Sequence, residues 1–274
     1  RAPRVRTAAA GRRARGGKRP GLAKAIATGL GGRIDRLTQA TEVLGTVAAD
    51  SFGSKYSNPG TLVAEKALSV WSPDGATLFA ATRGTVLAYP FTAAGFGAPY
   101  ASPAVSNVGA RVEAAACRPQ GDWVAVAAQT TATLRFYPFS TASGVGAPTA
   151  LTLPDSDVES LAWHPSGLYV AVGFGANIAP AVYAFDPSTG VATLLASQPV
   201  RPSASPCAYL AWSPAGTTLF SSFNASPYIL AWPFAAGVFG AKYNDPTAGN
   251  SNATAIAVHP SGSHVFIANS TTFY

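Results

Sequence analysis

The chain has 274 residues, 48% of them hydrophobic and only 11% charged, with 27 Gly and 22 Pro. That length allows one or two domains, the Gly and Pro content suits turn-rich β structure, and no apolar run reaches the roughly 18 residues of a membrane-spanning helix. The net charge of +7 is unevenly placed: residues 1–36 hold eleven of the nineteen Lys and Arg and one acid, Asp35, leaving eight basic and eleven acidic residues beyond them. A leader near +10 and a remainder near −3 face different partners. A chain that starts at Arg1 and contains no Met reads as a processed product or a fragment.

Arg1 to Arg19 is an Arg/Gly/Ala arm with almost nothing to bury, which predicts disorder in isolation. From Gly21 to Ala40, Leu22, Ile26, Leu30, Ile34 and Leu37 fall on one stripe at helical spacing, which predicts a basic amphipathic helix. Gly29, Gly31 and Gly32 weaken that helix by about 1 kcal/mol each, so it needs a surface to fold against. Residues 1–40 are therefore expected as one unit and 41–274 as another. Three roles suit the leader: a tether into other protein subunits of a large assembly, an arm that neutralises nucleic-acid phosphate, or an uncleaved targeting segment. For the first, the expected anchors are Arg12, Arg13, Arg15, Lys18 and Arg19, with Leu22, Ile26, Leu30 and Ile34.

Beyond the leader one phrase recurs: Trp71-Ser72-Pro73-Asp74-Gly75, Cys117-Arg118-Pro119-Gln120-Gly121, Trp163-His164-Pro165-Ser166-Gly167, Trp212-Ser213-Pro214-Ala215-Gly216 and Val258-His259-Pro260-Ser261-Gly262. Its prolines step by 46, 46, 49 and 46 residues, a period that marks stacked or radial repeat architectures. Each unit reads as four short strands. An apolar run ends at the Pro-x-Gly turn, and a second run such as Trp123–Ala128 or Tyr169–Gly173 follows. A third strand carries Tyr89-Pro90-Phe91, Tyr137-Pro138-Phe139 or Trp232-Pro233-Phe234, with Tyr183-Ala184-Phe185 as the variant. A Gly-bearing hairpin then leads to a fourth strand, Phe96–Tyr100 or Phe239–Tyr243. Four strands in 46 residues make one blade, so the expected fold is an all-β propeller of four-stranded blades.

The segment 42–56 has no such turn before it, yet Phe52-Gly53-Ser54-Lys55-Tyr56 matches Phe239-Gly240-Ala241-Lys242-Tyr243. It is expected to supply the outer half of a closing blade whose inner half is Ala255 to Tyr274, giving five blades; a larger ring is the alternative.

The Ser-Pro-Asp-Gly turn resembles WD40-like, YVTN-like and lactonase-like propeller repeats. The fuller phrase, with aromatic-Pro-Phe and Phe-Gly-x-Lys-Tyr-x-x-Pro, is similar to WD40-like repeats encoded by tailed bacteriophages and some bacteria. That resemblance covers about residues 42–274 and implies a virion or surface component that displays a propeller. The lactonase side of it implies a metal near the ring axis held by acidic and amide side chains.

Chemistry is harder to find. His164 and His259 occupy a turn position that is Ser72, Arg118 and Ser213 elsewhere, which makes it structural, and no His/Cys cluster has zinc spacing. Asp155, Asp157 and Glu159 form an acidic cluster before an inner strand, which reads as a solvated loop, with a cation site at the mouth of the channel as the alternative; Glu113 stands in the comparable place one unit earlier. Neither a Gly-x-Ser-x-Gly elbow nor a phosphate-binding glycine motif is present. Cys117 and Cys207 read as buried hydrophobes. The expectation is a structural or interaction protein with no turnover, no catalytic residue, no metal and no cofactor, located in a virion. Its repeat turns (Pro73, Gly75, Pro119, Gly121, Pro165, Gly167, Pro214, Gly216, Pro260 and Gly262) shape the framework. The alternatives are a nucleic-acid-associated assembly protein and a lactonase-like hydrolase.

Overall fold

The computed structural model describes residues 47–48, 51–52, 68–82, 85–102, 112–128, 131–200, 206–244 and 253–269. The anchoring residues Arg12, Arg13, Arg15, Lys18, Arg19, Leu22, Ile26, Leu30 and Ile34 lie outside these, as does the expected helix. Every described element is a strand.

Strands β1 (Val47–Ala48) and β2 (Ser51–Phe52) pair with each other. The first blade is β3 (Leu68–Trp71), β4 (Thr77–Ala81), β5 (Val86–Thr92) and β6 (Gly95–Phe96), hydrogen-bonded in that order. The second is β7 (Val112–Cys117), β8 (Trp123–Ala128), β9 (Thr133–Ser140) and β10 (Gly144–Val145), with β11 (Thr149–Thr152) also on β9. The third is β12 (Val158–Trp163), β13 (Tyr169–Phe174), β14 (Ala181–Asp186) and β15 (Val191–Leu194). The fourth is β16 (Cys207–Trp212), β17 (Thr218–Phe223), β18 (Ile229–Ala235) and β19 (Val238–Phe239). Then β20 (Ala253–Val258) and β21 (Val265–Asn269) make a two-stranded sheet. Each first strand packs beside the next, β3 on β7, β7 on β12, β12 on β16 and β16 on β20, as inner strands around an axis do. Among the described residues no ladder joins β21 to β1 or β2, so the expected composite blade is not formed by them.

The five expected turns share one geometry. In each, the glycine N–H donates to the carbonyl three residues earlier: Gly75 to Ser72, Gly121 to Arg118, Gly167 to His164, Gly216 to Ser213 and Gly262 to His259, at 2.7–2.9 Å. The glycines have φ of 70–79°, the left-handed region where a Cβ is strained. Proline at the preceding φ ≈ −65° position pre-sets the bend.

The fourth strand is short or broken wherever the third carries proline: two residues long in blades 1 and 4, and split into β10 and β11 in blade 2. Pro90, Pro138 and Pro233 cannot donate to a ladder, and the outer strands beside them are only two residues long. The chain then crosses over the proline ring through a glycine. A Cβ on Gly97, Gly146 or Gly240 would sit 2.8–2.9 Å from the Cγ of that proline. Blade 3 has Ala184 there instead, and its outer strand runs unbroken from Val191↔Asp186 to Leu194↔Tyr183.

Hydrophobic burial is concentrated in the seams between blades. Blades 1 and 2 enclose Phe79, Val86, Ala88, Val124, Val126 and Tyr137. Blades 2 and 3 enclose Leu134, Phe136, Trp163, Val172 and Phe185, and blades 3 and 4 enclose Ala171, Val182, Trp212, Leu219 and Phe234. Inner-strand tryptophans cross-link neighbours: Trp163 Nε1 donates to Ala116 O (3.1 Å) and Trp212 Nε1 to Ala162 O (3.2 Å).

Candidate functional site

The connectivity sends all Pro-x-Gly turns to one end of the sheets. The connections between second and third strands, and between one blade and the next, go to the other end. Three features of that second end, and of the outer rim next to it, bear on function.

The first is a β-bulge repeated in four inner strands. Val112 and Ala114 pair with the consecutive residues Ala128 and Ala127, leaving Glu113 as the extra residue. The same slip leaves out Glu159, Ala208 and Thr254 in β12, β16 and β20. A bulge re-aims the side chain it carries, and on the adjacent strands β7 and β12 that side chain is a carboxylate. Glu113 is 7% exposed and Glu159 half-buried. The expected acidic cluster does not converge around them. Asp155 Oδ1 instead accepts the Asp157 N–H at 2.8 Å in a local turn, and Asp157 backs onto Gly175, whose N–H donates to its carbonyl. Among the described residues no three His, Cys, Asp or Glu side chains meet. A cage of three carboxylates is therefore not assembled by them.

The second feature is a groove of about 490 Å³ between blades 2 and 3, walled by Leu151, Leu153, Pro154, Pro180, Tyr183 and Leu194. Its volume is that of a small-molecule site. Gln198 closes one side without offering a free polar group: its Nε2 donates to Val182 O and Leu195 O, and its Oε1 accepts the Val182 N–H, all at 2.7–2.9 Å. Burial raises the pKa of the Tyr183 hydroxyl, which stays protonated at neutral pH.

The third is apolar exposure. Val191 and Leu194 on β15, Val200 in the loop after it, and Val238 and Tyr243 at the outer edge of blade 4 are each more than half exposed, Val200 at 77%. That loop is fastened to blade 4, since Ser197 Oγ accepts the Phe239 N–H at 2.8 Å and Val200 O accepts from Trp232 Nε1 at 2.9 Å.

The expected turn histidine is structural, but in a way the sequence did not reveal. His164 Nε2 lies 2.9 Å from Gly216 O in the next blade's turn, and Arg118 Nε donates to Gly167 O at 2.9 Å in the same manner. Arg118 also pairs with Asp122 at 2.6 Å and lies 6.0 Å over the Phe185 ring. Where the position is serine it works within its own turn, Ser72 Oγ accepting from Thr77 N and Ser213 Oγ from Thr218 N. Cys207 is buried, Cys117 half-buried, and neither is joined in a disulfide; burial pushes the Cys117 thiol up to about 12, so it is an inert thiol.

No family model matches the chain, and no curated protein sequence matches it. Similar solved structures decide the fold. The β-propeller domain of Swd1 from Myceliophthora thermophila has a TM-score of 0.56 at 15% identity, over 75% of this chain and 69% of that one. The periplasmic gluconolactonase PpgL of Pseudomonas aeruginosa has 0.59 at 16%, over 73% and 62%. A Bacteroides uniformis protein described as a candidate 6-phosphogluconolactonase has 0.59 at 17%, over 79% and 66%. The fold is a β-propeller.

At this identity only the propeller is shared, and the chain spans about two thirds of the length of each of these proteins. The expectation of a protein without turnover is nevertheless overturned. It rested on the lack of familiar catalytic motifs, and two of these three propellers are named as lactonases. The framework carries hydrolysis as well as interaction, so missing motifs do not set the chain apart from enzymes. The narrower likeness to bacteriophage repeats rests on the motifs alone.

Proposed function

We propose that the chain is a tethered propeller: residues 1–40 hold it among other subunits of a large assembly, and the rim of blades 3 and 4 is the face those subunits meet. A virion is the specific setting this reading favours. The observation that carries it is the clustering of exposed apolar side chains. Five of the seven large hydrophobics exposed among the described residues, Val191, Leu194, Val200, Val238 and Tyr243, fall on two neighbouring blades and the loop fastened between them. Exposed apolar side chains gathered on one part of a rim mark contact with a partner. The charge split supports the tether, with eleven basic residues before position 37 and a net acidic remainder. Deleting residues 1–40 is expected to leave a folded propeller that no longer enters the assembly, and Leu194→Asp with Val238→Asp to weaken entry without unfolding. Normal incorporation of the truncated chain would remove the proposal. If the arm instead binds nucleic acid, association weakens steeply with salt.

A second reading is hydrolysis of a sugar lactone at the inner-strand bulges. It is favoured by the equivalent placement of Glu113 and Glu159 on adjacent strands, where one carboxylate can act as general base on water. Its test is the rate of gluconolactone opening by the full chain, with Glu113→Gln and Glu159→Gln as controls. A rate no faster than buffer, with or without added divalent cations, would exclude it.

A further inference from the structure

Blade 3 keeps the outer strand that proline interrupts in the other blades. Strand β15 pairs with β14 along its whole length, from Asp186↔Val191 to Tyr183↔Leu194, and among the described residues no strand pairs with its other side. The ladder fixes where its remaining backbone groups point. Leu195 N–H donates to Val182 O at 3.0 Å, and hydrogen-bonded and non-bonded pairs alternate along an antiparallel ladder. Thr193 and Val191 therefore also turn their backbone groups toward β14, and the N–H and C=O of Ala192 and Leu194 point away from it. Phe185 N–H donates to Leu168 O on the opposite side of β14, at 2.8 Å, as that alternation requires.

Sheet edges are blunted by a charge, a proline or a bulge. This one has none of them: it reads Val-Ala-Thr-Leu without a register shift, Val191, Thr193 and Leu194 are exposed along it, and residues 187–200 carry no charged side chain. The other four-residue outer strand, β11, exposes only Ala150 and Thr152. The β15 edge suits a second copy of itself. On a two-fold axis a residue faces its own equivalent, so a charged residue there would repel itself, and this strand has none. One antiparallel register pairs Ala192 of each copy with Leu194 of the other, two hydrogen-bonded pairs that each exchange both bonds. Centring on Ala192 or Leu194 instead would throw the second pair onto Gly190 or Ala196, outside the strand. In the chosen register the large Leu194 lies opposite the small Ala192, and Thr193 meets Thr193 on the axis, a favourable cross-strand pair.

We propose that two copies of the chain join edge to edge through β15, continuing blade 3 across a two-fold axis at Thr193. The proposal rests on the reading of this rim as a contact face and names the occupant. Sedimentation of the full chain is expected to pass from monomer to dimer as concentration rises. Ala192→Pro removes an outward N–H and leaves the β14 ladder intact, so it should give a folded monomer. In a chain with Cys117 and Cys207 replaced, Thr193→Cys should link to itself on mild oxidation, because opposed non-hydrogen-bonded residues lie about 4.5 Å apart, within reach of a disulfide. Val191→Cys should not link, its two copies being roughly 13 Å apart. If Ala192→Pro does not fold, the crosslink decides. A chain monomeric at every concentration, a dimer indifferent to a folded Ala192→Pro, or linking at 193 no stronger than at 191 would each overturn the proposal. Should it fall while Leu194→Asp with Val238→Asp still weakens entry into the assembly, the contact face stands and a different subunit occupies it; unchanged entry would remove the face as well.

Discussion

Replacing Arg118 by Ala tests how neighbouring blades are held together. The change removes a buried donor, Nε to Gly167 O at 2.9 Å across the seam, the pair to Asp122 and the contact over Phe185. Hydrogen bonds from charged groups contribute about 1.5–3 kcal/mol. The ion pair adds less than about 1 kcal/mol, because Asp122 is 44% exposed and screened by solvent. The expected loss is therefore about 2–4 kcal/mol, most of it from the seam bond. Urea unfolding of the full chain measures it, with Asp122→Asn as the control that keeps the seam bond and loses under about 1 kcal/mol. A midpoint for Arg118→Ala equal to that of Asp122→Asn would refute the reasoning, since the seam bond would then contribute nothing.

Other expectations follow from the same contacts. Burial depresses the His164 pKa below its ordinary 6.5, so the unfolded chain takes up the proton first. That contribution is complete above about pH 6.5 and is lost as pH falls below it. His164→Ser, the residue of blades 1 and 4, should flatten this part of a urea-midpoint profile. Asp74 and Asp186, lowered by hydrogen bonds from Ser72 and Ser188 respectively, are lost only further down, below about 3.8, which separates the two effects. Gly97→Ala drives a methyl to 2.8 Å from the Pro90 ring and should cost about 1–3 kcal/mol by overpacking. Pro90→Ala in the same chain should recover much of that, and additive losses would show that the clash is not the cause.

The turns and the third-strand marks were legible because each rests on one residue's backbone chemistry: a left-handed Gly75 or Gly167, a proline that cannot donate. The shortened outer strands followed from the same chemistry but needed the crossing of Gly97 over Pro90 to be seen. What the turn residue reaches was not legible, because Arg118 and His164 act on carbonyls 49 and 52 residues away. The bulges at Glu113 and Glu159 were hidden for a related reason, since Val-Glu-Ala and Val-Glu-Ser read as plain strand until the partner strand fixes the register. The Asp155–Glu159 cluster was legible as a solvated loop, and Asp155 is spent there on a local turn through the Asp157 N–H.

The arrangement of blades around an axis is tested most directly by pulsed electron–electron distances. Spin labels would be placed at the exposed turn positions Asp74, Gln120, Ser166, Ala215 and Ser261 in a chain with Cys117 and Cys207 replaced. Neighbouring turns should be evenly separated, and the distance from position 74 should rise to 166, level off by 215, and be no longer at 261. A distance that keeps growing in equal steps to position 261 would mean an open stack of sheets and would contradict the account.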